Sequence, residues 1–126
     1  MNSNTGWPPG ADALTLRRRS QITRTGERIV FVDEGSIGAG SFGVAYVVGQ
    51  WYDYPPMRHG QGTTFSFVDN HAEYCKWTDK HTLDAWNWPW AGQTPDNSDC
   101  DLRWLVKRTW GKVGYANPST TKKCEY

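Results

Sequence analysis

Long apolar runs are missing from this sequence. The longest uninterrupted apolar run covers residues 44–48, far fewer than the roughly 20 residues that a helix needs to cross a bilayer. The first 25 residues contain no apolar segment of the kind that a secretory signal requires. From the sequence as written we therefore expect a soluble chain in the cytoplasm, without a membrane span or an export signal.

An excess of charge of one sign is missing as well. The 14 Lys and Arg residues nearly balance the 13 Asp and Glu residues, which leaves a formal net charge of +1. Surfaces that bind nucleic acid or anionic lipid need a large local excess of basic residues. Residues 17–19 form the one basic run, which is short enough to be a solvated face. Neither nucleic acid nor membrane is predicted as a partner.

Aliphatic side chains are scarce. Leu, Ile, Val and Phe together number 20 of the 126 residues, a fraction that would indicate disorder in a strongly charged chain. Here the charge is balanced, and 8 Trp and 6 Tyr residues supply the missing apolar area. The length fits one core. We expect a flexible arm over residues 1–13, a single globular domain over 14–113 and a polar C-terminal tail over 114–126.

Cysteine is equally scarce. Cys75, Cys100 and Cys124 form no C-x-x-C pair, so neither a zinc site nor a redox motif is indicated. Three cysteines allow at most one intramolecular disulfide, and the sequence leaves its pairing open. In the cytoplasm all three are expected to be thiols, whereas an exported chain could pair two of them.

Two segments before residue 50 have the composition of β-strands. Residues 28–33 are rich in β-branched side chains and are bounded by polar and glycine residues, and residues 42–48 have a similar composition. The glycine-rich stretch 35–41 between them is interpreted as a connector, because no Gly-Lys-Ser/Thr follows it. Residues 78–97 show no sustained period and are predicted to be an ordered, aromatic-rich excursion without a regular element.

Residues 63–77 predict a β-hairpin with two strand-like runs separated by Asp69 and Asn70. A two-residue loop favours a type I′ turn, in which both central residues have positive φ. Alternation along the first strand places Phe65 and Phe67 on one face, which we expect to be buried. The hairpin is predicted to be the centre of the sheet.

Residues 99–109 predict a short helix. Ser98 and Asp101 resemble a capping box, apolar residues recur at helical spacing after them, and Gly111 can end the helix. The predicted fold class is α+β, with a small antiparallel sheet around a central hairpin, one or two short helices and long aromatic-rich loops.

Five pieces of the sequence occur in an order that resembles a known family. They are Arg28-Ile-Val-Phe-Val-Asp-Glu34, Trp51-x-Asp53-x-Pro55-x-x-Arg58-His59, Phe65-Ser-Phe67-x-Asp69-x-His71-x-Glu73, Lys76-Trp77-x-Asp79 and Asp101-Leu102. Together they resemble the globular part of prepilin-like proteins with a His, nine residues and then Asp-Gly, in the type II secretion pseudopilin and type IV pilin-like group of planctomycete and verrucomicrobial bacteria. The resemblance covers about residues 17–110, and Asn70 stands where the family has Gly.

The resemblance implies a non-enzymatic head domain that is a structural or cargo-contacting subunit of a secretion or pilus-type system. Its partners would be pilin-like subunits or secreted cargo, and its location would be periplasmic or extracellular. The sequence as written lacks the family's hydrophobic N-terminal helix, so we expect either an excised head or a head encoded without its stalk. In place of that helix, residues 13–22 or a second copy in a weak homodimer would cover the apolar sheet face.

Aromatic residues leave a second interpretation open, that of a free-standing ligand-binding module. Flat aromatic faces suit the C–H groups of carbohydrates, although core packing explains the same residues. The candidate ligand-binding aromatics are Trp51, Tyr52, Tyr54, Trp86, Trp88 and Trp90.

A metal-dependent enzyme is the third interpretation. His59, Asp69 and His71 are residue types that bind transition metals, but Asp69 also suits a turn and His59 suits docking of its loop on the hairpin. With Trp51, Asp53, Arg58 and Asn70, these three are predicted to be structural residues of the motif. Calcium on Asp33, Glu34 and Asp53 also stays open, because the resemblance implies a calcium site in secretion pseudopilin heads.

Catalytic residues are not predicted. His71 and Cys75 share one face of a strand but lie roughly 13 Å apart along it, which is too far for proton transfer. No serine lies in a Gly-x-Ser-x-Gly pattern. We therefore predict neither an enzyme nor a cofactor.

Overall fold

The computed structural model of the chain describes residues 14–33, 42–85, 87–88, 94–119, 122 and 124. The predicted arm, the whole glycine-rich connector over residues 35–41 and the last two residues lie outside this part of the chain. The described strands are β1 (Ile29–Val32), β2 (Gly62–Phe67) and β3 (Ala72–Lys76), and the described α-helices are α1 (Arg58–Gln61), α2 (Lys80–Ala85) and α3 (Cys100–Trp110). Two short 3-10 turns, Arg19–Gln21 and Thr25–Glu27, precede β1.

The three strands form one antiparallel sheet in the order β1-β2-β3. The predicted strand over residues 28–33, the hairpin and the α+β fold class are thereby confirmed. Only the first strand of the hairpin is central, however, because β3 has β2 as its single strand neighbour within the described residues.

The hairpin loop differs from the predicted type I′ turn. Positive φ is found at Asn70 (76°) but not at Asp69. The Asn70 N–H donates to the Phe67 carbonyl at 3.0 Å, and the Phe67 N–H donates to the His71 carbonyl at 3.0 Å. This is the pattern of a three-residue loop that ends in a left-handed residue. The prediction was wrong because Val68 leaves the hairpin ladder and donates its N–H to the Arg28 carbonyl beside β1 at 3.0 Å.

Residues 42–48 do not form the predicted strand. Their one ladder contact is an isolated bridge between Val44 and Trp51. The chain bends over residues 46–49 and folds back, so that the Ala45 N–H donates to the Gln50 carbonyl at 3.2 Å. At the bend a Cβ on Gly49 would lie 2.3 Å from the Asp96 carbonyl oxygen. The close approach of two backbones therefore requires glycine here and prevents an extended strand.

Helix α3 covers the apolar face of the sheet. Phe65 and Phe67 are buried as predicted, and they belong to one core cluster with residues of α3. The rings of Phe65 and Trp104 lie 5.4 Å apart. Residues 17–21 are exposed, whereas Leu14 packs against the core. The expectation that residues 13–22 would cover this face was therefore wrong, because α3 already occupies it. Association with a second copy stays a prediction.

Both ends of α3 follow from its sequence, but a second helix was missed. Asp99, rather than Ser98, is the N-cap and accepts a hydrogen bond from the Leu102 N–H at 2.9 Å. Gly111 ends the helix with φ 85°. Helix α2 lies in the stretch that was predicted to have no regular element, because its 6 residues are too few to show a helical period.

The C-terminal segment is joined to α3 by a disulfide. Cys100 and Cys124 are bonded, and Cys75 is a free, half-buried thiol. Tyr115 lies in the core cluster, so part of the predicted tail packs on the domain. Within the described residues, no helix has the length and apolarity needed to span a membrane.

Candidate functional site

The loop that contains His59 is held against the end of the sheet. His59 Nε2 lies 2.8 Å from Asp33 Oδ2, and the Tyr74 hydroxyl donates to the His59 carbonyl at 2.7 Å. The Thr63 hydroxyl donates to the Asp33 carbonyl at 2.6 Å. His59 itself has φ 61°, a left-handed conformation that costs a non-glycine residue about 1–2 kcal/mol. These contacts fix the loop between two strands in spite of that cost.

Asp69 and His71 form a separate pair in the hairpin loop. His71 Nδ1 lies 2.5 Å from Asp69 Oδ1, and this hydrogen bond holds the pKa of Asp69 below its usual value. The His71 ring stacks on Phe67 at 4.3 Å. His59 instead pairs with Asp33, and no group of three potential metal ligands occurs in the described part of the chain. The hypothetical ligand set of His59, Asp69 and His71 is therefore not assembled.

Each of the other predicted motif residues either makes a structural contact or is exposed to solvent. Asp53 Oδ2 accepts a hydrogen bond from the Gly43 N–H at 2.5 Å, which ties together the two arms of the bend. Arg58 is exposed at the start of α1. Of the calcium candidates, Asp33 pairs with His59, Asp53 with Gly43, and Glu34 lies outside the described residues.

The candidate aromatic platform is partly a core cluster. Trp51 has no exposed surface and packs edge-on against Trp77 at 5.7 Å, so it is closed to a ligand. Tyr52 and Tyr54 are half-buried, and the Tyr54 hydroxyl donates to the Trp88 carbonyl at 2.9 Å. Trp86 and Trp90 lie outside the described residues.

A cluster of carboxylates at the junction of α2 and α3 was missed by the sequence analysis. Asp101 Oδ2 accepts hydrogen bonds from the backbone N–H groups of Thr78 and Asp79, each at 2.7 Å. Asp79 Oδ2 accepts from the Cys100 N–H at 2.8 Å. Asp79 also contacts the Lys122 ammonium group. Burial, with the charges of the neighbouring aspartates, raises the pKa of Asp101 although its backbone hydrogen bonds lower it.

Asp99 is the most buried member of this junction. It has no exposed surface and accepts hydrogen bonds from the Thr82 hydroxyl at 2.7 Å and the Trp51 indole at 3.4 Å. His81 Nδ1 lies 2.7 Å from Asp99 Oδ2, and His81 Nε2 lies 2.8 Å from the Thr94 carbonyl. Both ring nitrogens thus face acceptors, which favours the doubly protonated, charged ring.

The electrostatics of His81 agree with this geometry. Burial lowers the pKa of His81, but the hydrogen bonds that the ring donates to Asp99 and to the Thr94 carbonyl, together with the charges of Asp99 and Asp96, outweigh it and raise the pKa overall. Below this raised pKa the imidazole is charged and pairs with the buried Asp99 carboxylate.

The carboxylates of the junction hold backbone N–H groups. Each of its carboxylates is directed at backbone N–H groups at the start of a helix, where a negative charge is favourable. The nearby Cys75 thiol is a poor nucleophile, because burial raises its pKa to about 12. A sequence signal did exist, since Asp79 and Asp99 each precede a helix as an N-cap would.

No family model matches the chain, and neither a curated protein nor a solved structure matches it.

Proposed function

We propose that this chain is a non-enzymatic, pseudopilin-like head domain that serves as a structural or cargo-contacting subunit of a secretion or pilus-type system. The observation that carries the proposal is that separate pieces of the family-like pattern contact one another. His59 pairs with Asp33, the Trp77 indole donates to the Pro56 carbonyl at 2.6 Å, and Asp101 accepts from Asp79.

Each of these contacts joins segments that are distant in sequence. The separations are 26 residues for Asp33 and His59 and 21 residues for Pro56 and Trp77. A catalytic pattern would instead direct a nucleophile and a base at a common open point. Pairing within the pattern supports an architectural role, in which the motif holds long loops on a small sheet.

The sheet and the disulfide support the proposed setting. The three-stranded antiparallel sheet agrees with the antiparallel sheet that the resemblance implies for a pilin-like head, although α3, and not an N-terminal helix, covers its apolar face. The Cys100–Cys124 disulfide favours a periplasmic or extracellular location, because such bonds persist in oxidising compartments. Weak self-association would use the open edge of β3, where Tyr74 is exposed.

The test is to identify neighbours of the chain in the organism that encodes it. A tagged copy at the native locus is cross-linked in living cells, and the envelope and cytoplasmic fractions are analysed by mass spectrometry. We expect cross-links in the envelope to proteins that begin with a prepilin-type apolar helix, or to exported proteins. A chain recovered from the cytoplasm without such cross-links contradicts the proposal.

A glycan array with the purified chain tests the second interpretation. Selective binding of one carbohydrate class, lost when Tyr52 is replaced by alanine, would favour a ligand-binding module over a head domain. We expect no such binding, since Trp51 is enclosed in the core.

A further inference from the structure

An exposed basic and aromatic surface lies beside β1. Arg17, Arg18 and Arg19 are exposed, and Phe31 on β1 has 71% of its surface exposed. Two clefts of about 380 and 480 Å³ lie between this arginine run and the strand. Both clefts are lined by Arg19, so they adjoin. We call Arg17, Arg18, Arg19 and Phe31, with the clefts between them, the arginine–Phe31 surface.

The charge of this surface is opposite to that of the rest of the chain. Residues 17–28 contain five Arg and one Glu, whereas the whole chain has a formal charge of +1, so the remaining residues carry net negative charge. Within residues 17–28, Glu27 is engaged by Arg24 at 3.8 Å, and Arg28 is directed inward to the Thr109 carbonyl at 3.0 Å. Arg17 to Arg19 form no ion pair with an acidic side chain of the described residues.

The arginine run is positioned by the fold. The backbone N–H groups of Arg17 and Arg18 both donate to the Gln21 side chain, at 2.9 and 2.8 Å, which shapes the turn in front of the cleft. The three cations are therefore presented together beside the strand rather than spread along an extended tail.

Strand β1 is an edge of the sheet. In the order β1-β2-β3, its single strand partner within the described residues is β2. Edge strands can pair with an extended segment of another chain, and side chains of the added segment then supply specificity. An exposed aromatic residue is a typical anchor at such a contact.

We propose that the arginine–Phe31 surface binds an extended, acidic segment of a partner protein. The segment pairs with the β1 edge, an apolar side chain of the segment packs on Phe31, and its carboxylates contact Arg17 to Arg19. This contact depends only on the charge and exposure of the arginine–Phe31 surface. It therefore goes beyond the proposed function and does not require that function.

Charge selects this occupant over two others. A second copy would bring one arginine run against another if the two surfaces met, and like charges oppose that pairing. A long nucleic acid needs an extended basic track, whereas the residues outside 17–28 are net negative. A short acidic peptide needs only the positive charge of Arg17 to Arg19 in order to bind.

Binding is measured by fluorescence anisotropy with labelled peptides of about ten residues, the length of a long strand. The probe alternates Glu with Val, and the control peptides replace Glu by Lys or place Pro at alternate positions. We expect the acidic peptide to bind about tenfold or more tightly than either control and to weaken as salt is raised.

The variant R17S/R18S/R19S should weaken binding of the acidic peptide about tenfold or more, and F31S should weaken it without removing its salt dependence. A matched control, K76S/K80S/K112S, removes three exposed charges elsewhere and should leave the affinity unchanged. Folding of each variant is checked by circular dichroism.

Three results would overturn the proposal. They are equal affinity for the acidic and basic peptides, unchanged affinity in the triple arginine variant, and preferential binding of a single-stranded oligonucleotide over the acidic peptide. None of them bears on the cross-linking test of the head-domain proposal, so the two can fail separately.

Discussion

Asp79 donates its backbone N–H to the Asp101 carboxylate and uses its own carboxylate to accept from Cys100, the residue before Asp101. Asp101 accepts from the Asp79 N–H at 2.7 Å, and Asp79 accepts from the N–H of Cys100, the first residue of α3, at 2.8 Å. The start of each helix is therefore held by a side chain at the start of the other. Two short helices that would be marginal alone stabilise each other in this way.

A double-mutant cycle tests this reciprocity. We expect Asp79→Ala and Asp101→Ala each to lower the free energy of unfolding by about 1–2 kcal/mol, as loss of an N-cap does. The double variant should lose less than the sum of the two, with a coupling of roughly 0.5–1 kcal/mol. Urea unfolding followed by tryptophan fluorescence measures all three.

The control for this cycle is Asp84→Ala. Asp84 contacts Lys80 on the exposed side of α2, so its loss should change stability by less than about 0.5 kcal/mol. Additive effects of the two cap substitutions would contradict a shared network.

His81 should make stability depend on pH near neutrality. Its pKa in the folded chain is raised above the ordinary value of 6.5. A raised pKa gives a stabilisation that is fully present below the unfolded-state value and is lost as pH rises through the folded-state value. The free energy of unfolding should therefore begin to fall as pH rises through the ordinary value of 6.5 and should level off only above the raised folded-state pKa.

Titration of the His81 ring by NMR identifies the group responsible. Asp96→Asn keeps an acceptor oxygen for Ser98 but removes a charge that raises the His81 pKa, so the pKa should fall in this variant. An unchanged His81 pKa in Asp96→Asn would show that the charge of Asp96 does not contribute to the shift.

Asn70 occupies the position of the hairpin loop that favours glycine. Because Asn70 has φ 76°, the substitution Asn70→Gly should be neutral or stabilising by up to about 1 kcal/mol, since glycine has no steric cost at positive φ. Asn70→Ala should destabilise by about 1 kcal/mol. The midpoint of thermal unfolding should fall in Asn70→Ala and should rise or stay unchanged in Asn70→Gly. A clear loss on Asn70→Gly would mean that the Asn side chain, rather than the backbone conformation, is needed.

Two phenylalanines on opposite faces of the sheet should respond differently to truncation. Phe67 is buried and Phe31 is exposed. Phe67→Ala should lower the free energy of unfolding by about 3–5 kcal/mol, and Phe31→Ala should change it by less than about 0.5 kcal/mol. Equal losses in urea unfolding would show that the face assignment is wrong.

Reduction of the Cys100–Cys124 disulfide should destabilise the domain. The bond closes a segment with a sequence separation of 24, and such links typically contribute about 2–4 kcal/mol. The variant C100S/C124S should match the reduced chain in urea unfolding, whereas C75S should keep the full response to dithiothreitol. An unchanged midpoint on reduction would show that the C-terminal segment is held by its packing alone.

Local patterns predicted β1, the two strands of the hairpin and α3 correctly. Alternation around Phe65 and a cluster of β-branched residues are signals that neighbouring residues carry. The hairpin loop was wrong by one residue because its geometry depends on where the Val68 N–H finds its acceptor, and that acceptor is the distant Arg28 carbonyl. The bend at Gly49 depends in the same way on the approach of Asp96.

The motif residues of the hairpin and its neighbouring loop were predictable from the sequence, but their pairing was not. The sequence singled out His59, Asp69 and His71, and two of these three do pair in the loop. Nothing in the local sequence links His59 to Asp33, or Asp99 to His81, because these contacts depend on tertiary packing. Buried aspartates are also unexpected from composition, since they become favourable only when several donors surround them.

The edge-on packing of Trp51 and Trp77 gives the domain an optical signature. The two indoles are buried with centroids 5.7 Å apart and planes at 77°. Electronic transitions of rings this close and this skewed couple to each other, and the coupling depends steeply on their separation and angle. Far-ultraviolet circular dichroism should therefore contain a couplet from this pair, a label-free report on core packing distinct from the signals of the helices and strands.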